Sequence, residues 1–172
     1  AFRDRRRILA VMAAVLLSSG LAAQPAPPER GQLPSPELQS LIDSNAYADA
    51  LPLAKAEMQA CEAALAADAA LGLTHCFLVR QETLHLALFQ EDNAFAIAEA
   101  ERLLTDSQSG DSILHLEARL TAINILSLAY SRVGDFEKAL TYLQMDLAVS
   151  KEVFGENSRE VAASLLNIGV MY

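Results

Sequence analysis

The chain has 172 residues, 52% of them hydrophobic, and no Trp. Its formal net charge is −9; residues 1–23 hold four Arg and one Asp, a net of +3, so the other 149 carry −12. A body this acidic is repelled by phosphate backbones and anionic lipid, which argues against nucleic acid and mildly favours basic partners, although the same charge also keeps an apolar chain soluble.

Residues 1–23 read as an export signal. Arg3, Arg5, Arg6 and Arg7 precede ten apolar residues at 8–17, and small residues follow to Ala22 and Ala23, where cleavage is expected. The apolar run falls short of the ~20 residues that span a bilayer. The membrane therefore enters only through this signal, if it stays uncleaved. Asp4-Arg5-Arg6-Arg7-Ile8-Leu9 also resembles the twin-arginine motif. Such a signal suits a protein of the periplasm or cell envelope of a bacterium. Residues 24–35 follow as a Pro-rich tether, because proline at this density favours extended, solvated chain.

From Pro36 the pattern turns helical, with Leu and Ala recurring at spacings of three and four. No alternating Val/Ile/Thr run of strand length occurs, so the expected fold is all-α. A short first helix is capped by Ser35 and broken at Asn45. The second covers 47–66, with Leu51, Ala54, Met58, Cys61 and Leu65 on one side and Pro52 bending its start. The third covers 73–89, with Phe77, Leu84 and Leu88 inward. The fourth runs from Asn93 to Leu104, and the polar stretch 105–112 is expected as loop. The fifth covers 113–133, capped by Ser112 or Asp111. Gly134 is suited to the left-handed residue that closes it, and Asp135 to the cap of the sixth, which reaches Val153. After Gly155, Asn157 or Ser158 starts the last helix, with Glu160 three residues after Asn157 in a capping arrangement.

These helices fall into pairs joined by tight turns at 44–47, 91–95 and 133–136. Tyr130 and Tyr172 end matching apolar segments 42 residues apart, and Phe89 ends a third, 41 residues before Tyr130. A period of this size means stacked helix pairs that bury their faces only against neighbours. Such stacks expose extended concave surfaces that hold other proteins.

The stretches "AYSRVGDFEKAL" and "GENSREVAASLLNIGVMY" resemble the tetratricopeptide (TPR) repeat. They are most similar to the 42-residue variety of kinesin light chains and of many bacterial exported proteins. The resemblance implies a right-handed α-solenoid. Leu126 and Tyr130 match the packing residues of a unit's first helix. Gly134, Phe136 and Ala139 match the turn and the close-contact face of the second, and Ile168, Gly169 and Tyr172 repeat the first set. Ala139 and Gly169 are expected where helices approach closely, and Tyr130 and Phe136 where the pair needs filling. The match is strong over 113–172, and 36–112 is expected to hold degenerate pairs. In that family the first helix of each unit lines the groove, which assigns Asn124, Asn167 and Arg132 to partner binding. Asn supplies both donor and acceptor for a bound peptide's backbone.

The cysteines are Cys61 and Cys76. Antiparallel neighbours would bring them to similar heights, so they form either a disulfide or two separate buried thiols. His75, His85 and His115 lack metal-ligand spacing, with His85 expected half-buried and His75 at the surface. No phosphate loop, nucleophile elbow or paired-carboxylate signature occurs, so neither cofactor nor catalysis is expected in this segment. The first functional reading is a scaffold whose groove binds a protein or peptide. The alternative is the sensory or regulatory front of a larger enzyme, since exported TPR arrays are often joined to a caspase-like peptidase or a signalling cyclase or kinase.

Overall fold

The computed structural model describes residues 34–67, 72–110 and 112–171. The export signal, all but Pro34 and Ser35 of the tether, and Tyr172 lie outside these residues. Seven helices and no strand occur among them: α1 Pro36–Asp43, α2 Tyr47–Ala67, α3 Gly72–Phe89, α4 Asn93–Ser107, α5 Ile113–Arg132, α6 Phe136–Phe154 and α7 Arg159–Val170. Each packs on the next, and α3 packs in addition on α5. The architecture is an all-α stack of helix pairs, as the sequence implies.

Side-chain caps fix the helix starts. Ser35, Asp92, Ser112, Asp135 and Ser158 each accept from the backbone N–H three residues on, satisfying donors that the first turn leaves unpaired. Ser158, not Asn157, begins α7.

The three tight turns share one backbone design. The N–H groups of Asn45, Glu91 and Gly134 donate to the carbonyls of Ile42, Leu88 and Ser131 (2.9, 3.2 and 3.2 Å). Those of Ala46, Asp92 and Asp135 donate to the carbonyls five residues back, at Leu41, Ala87 and Tyr130 (2.9 Å each). This is the closure in which one residue adopts left-handed backbone. That residue is Asn45 (φ +59°), Glu91 (+60°) or Gly134 (+81°).

These left-handed residues are 46 and 43 residues apart by number, which resets the repeat register. Ala87, not Phe89, is the counterpart of Tyr130. The aromatic spacing misleads because Phe89 projects outward, 66% exposed, and stacks on Tyr47 of α2 (centroids 5.2 Å apart). Five residues after each left-handed position stands a fully buried alanine, Ala50, Ala96 or Ala139. A single methyl there lets the two helices of a pair approach closely.

The main core runs through these pairs, with Leu38, Leu84, Leu103, Ile125 and Leu126 inaccessible to solvent or nearly so. A smaller cluster of Met58, Cys61, Cys76 and Val79 joins α2 to α3. Here Cys61 and Cys76 are bonded, with Cα atoms 5.7 Å apart.

The fourth helix continues three residues beyond its expected end. Its polar last turn is satisfied in place: Thr105 and Ser107 donate to the carbonyls of Glu101 (2.9 Å) and Leu104 (2.6 Å), and Arg119 donates to the Ser107 carbonyl (3.2 Å). Asp106 pairs with Arg80 at 2.6 Å. The Arg80 side chain is 4% exposed, and its Nε and Nη2 find no acceptor.

Candidate functional site

Helices α5 and α7 both pack on α6, and a cleft of about 200 Å³ opens between them. The equivalent helices of the preceding pair, α3 and α5, pack directly on one another. The cleft is lined from α5 by Asn124, Ser127, Leu128 and Ser131, a stripe at helical spacing. Asn167, Val170 and Met171 line it from α7's side, and Leu143 and Asp146 from α6.

Of the three residues assigned to partner binding, the structure brings Asn124 and Asn167 to this cleft, both exposed. Arg132 is absent from the lining. Its guanidinium donates to the Leu88 carbonyl at the end of α3. It therefore acts as a charged cap on that helix, where the carbonyl ends carry partial negative charge. This corrects the expectation that it adds charge to the groove.

Two packing assignments are corrected as well. Phe136 is 59% exposed and does not fill the pair. It is the first residue of α6, and side chains lean toward a helix's N-terminus, so it projects past the end. Gly169 has nothing within 4 Å of where a Cβ would stand, so no close helix approach requires it. Leu126, Tyr130 and Ala139 are buried, and Ile168 is partly so. His85 is exposed rather than half-buried. His115 lies within 2.6 Å of the Ser112 hydroxyl at the α5 cap.

Tyr130 secures the α5–α6 wall. Its ring stacks on Tyr142 (5.7 Å between centroids), with the Lys138 ammonium 4.7 Å from its centroid. Its hydroxyl donates to Glu101 of α4 at 2.8 Å. Burial, then the bond to Glu101 and that residue's negative charge, push the phenol up to about 12. Glu101 of α4 is thereby tied to α5.

The cleft's charge is Asp146. The buried hydroxyl of Ser164 on α7 donates to its carboxylate, and also lies within reach of the Ser150 hydroxyl (3.4 Å) and the Glu160 carbonyl (3.0 Å). Sequence reasoning missed Asp146, although a signal exists. Ala139, Leu143, Asp146 and Ser150 recur at spacings of four, three and four, the inward stripe of α6, and an acid in such a stripe is an anomaly. A second hollow, of about 310 Å³, lies between the start of α5 and the end of α6 and includes Arg119, Glu152 and Val153.

Residues 119–160, from α5 through α6 to the start of α7, match the tetratricopeptide repeat family. No curated protein and no solved structure matches the chain significantly. The chain thus carries a repeat of tetratricopeptide type within an all-α helical repeat solenoid.

Proposed function

We propose that the chain is an exported scaffold of the bacterial cell envelope, without catalysis in this segment, that holds a protein or peptide in the cleft between α5 and α7. Tetratricopeptide repeats generally mediate contacts between proteins, and stacked helix pairs offer extended concave surface for it. The observation that carries the reading is the cleft itself. It is open where the preceding pair is closed, and it is walled by both polar and apolar side chains. Asn124 and Asn167 face it from two different helices, with donor and acceptor amides suited to an extended backbone. The 42-residue span of the family match fits the longer class of these repeats.

Site-specific photo-crosslinking tests this reading. A benzoylphenylalanine at position 167 should yield a discrete adduct in cells, and one at exposed Lys151 should yield little. Equal labelling from both positions would remove the cleft from the function. Export is checked separately, by fusing residues 1–35 to a reporter phosphatase that is active only outside the cytoplasm. An inactive fusion would return the scaffold to the cytoplasm.

A further inference from the structure

We infer that the cleft between α5 and α7 seats a basic side chain, lysine or arginine, from an extended segment of the partner. The inference rests on the reading of this cleft as the holding site and names the chemistry it selects.

Among the described residues, Asp146 is the one charged side chain in the lining. No cation among the described lining residues neutralises it, and Arg132, the last residue of α5, is bound to the Leu88 carbonyl. Ser164 holds the carboxylate from α7, so its place does not depend on a flexible arm. Leu128, Leu143, Val170 and Met171 supply apolar wall, which suits the methylene stem of a long basic side chain whose head reaches a carboxylate. Asn124 and Asn167 then stand where the segment's backbone would pass.

The repeat register sharpens the point. Ala96, Ala100, Leu103 and Ser107 form the buried stripe of α4. With the 43-residue offset between Glu91 and Gly134, they correspond to Ala139, Leu143, Asp146 and Ser150 of α6. Where the pair is closed, a fully buried leucine stands; where the cleft is open, an aspartate. An acid in place of a core leucine costs stability unless something charged or hydrogen-bonding meets it. Ser164 meets part of that need, and a cationic side chain meets the rest. The −12 carried outside residues 1–23 attracts basic segments and repels acidic ones at long range.

The test uses the full chain and three labelled nonapeptide libraries that differ only in a fixed central residue: lysine, norleucine or glutamate. Fluorescence anisotropy should show the lysine library binding roughly three- to tenfold more tightly than the norleucine library, with glutamate weakest, and the gap should narrow as salt rises. Asp146→Asn keeps an acceptor for Ser164 and should bring lysine binding down to the norleucine level, which it leaves unchanged. Asn124→Ala should weaken all three libraries alike. Equal binding of lysine and norleucine, or a lysine preference that survives Asp146→Asn, overturns the inference while leaving the cleft as a peptide site. If none of the libraries binds, the holding site itself falls and the inference with it. Sedimentation showing a dimer through the cleft would seat a second copy there and likewise overturn it.

Discussion

The left-handed turn residue offers a direct test of the repeat register. Glu91 and Gly134 occupy the same position of the same hydrogen-bonded turn, at φ +60° and +81°. An L-residue in this backbone region costs about 1–2 kcal/mol, a penalty glycine avoids. Glycine in turn leaves the unfolded chain more flexible, which offsets about 0.5–1 kcal/mol of the gain. The Glu91 side chain is exposed, so Glu91→Gly should stabilise the protein by roughly 0.5–1 kcal/mol. The reverse change is equally clean: a Cβ at Gly134 meets nothing within 4 Å, so Gly134→Ala pays only for backbone conformation. It should destabilise by a similar ~0.5–1 kcal/mol. At this chain length each shift moves the thermal midpoint by about 1–4 °C, in opposite directions. Urea denaturation followed by helical circular dichroism reads both, with the slope unchanged. If Glu91→Gly destabilises, or if the two changes share a sign, Glu91 and Gly134 are not equivalent and the 43-residue register fails.

Four further outcomes follow from the packing. Removing the disulfide with Cys61→Ser and Cys76→Ser together frees a loop with a sequence separation of 15 and should cost about 3 kcal/mol, read by comparing melts with those of the oxidised parent protein. Tyr130→Phe should cost about 1 kcal/mol at neutral pH through the lost bond to Glu101. Because the folded phenol is raised to about 12, its contribution is complete below pH 10 and disappears as pH climbs toward 12; the variant should lack that alkaline loss in urea titrations. Asp92 is held below the ordinary carboxylate range, chiefly by its hydrogen bond from Lys55, so its contribution is present above that range and lost as pH falls through it. Asp92→Asn keeps the cap of α4 and should cost under about 1 kcal/mol at neutral pH while flattening stability in acid, seen by denaturation between neutral pH and the acid range. Asp106→Ala should cost about 2 kcal/mol by stranding the buried Arg80 guanidinium, whereas Arg80→Met, which removes two donors without acceptors, should be near neutral; equal losses in chemical denaturation would refute that asymmetry.

Much of the fold was legible because turn and cap chemistry is local. Asp135 and Gly134 announce a helix start and a helix end with a mechanism attached, and both act as expected. Glu91 carries no such sign, since nothing in its chemistry favours left-handed backbone, and the aromatic spacing alone puts the register through Phe89. Aromatic spacing is a weaker ruler: a ring can cross to a neighbouring helix, as Phe89 does onto Tyr47. Residues 105–107 read as loop because their polar groups need partners that the local sequence does not offer. Partners on α3 and α5, Arg80 and Arg119, which lie 26 and 12 residues away, supply what sequence proximity does not.

The site was half legible, and the missing half follows from packing. Asn124 and Asn167 are polar residues on first-helix positions, so their exposure toward a groove is readable from helical spacing. Whether a groove exists there is not, because it depends on α5 and α7 sharing α6 without closing on each other. That failure to close has a visible correlate in the inward stripe of the second helices. Leu103 lies fully buried beneath the closed pair; its counterpart Asp146 lies beneath the open one and takes a hydroxyl from α7. A leucine at this position favours apposition of the helices above it by burying apolar surface, about 25 cal/mol per Å². A carboxylate resists the same apposition, since full enclosure would strip its hydration. The substitution of one side chain type for another at a single repeat position therefore separates a wall from a pocket, and puts the charge that reads the partner at the base of the opening it keeps.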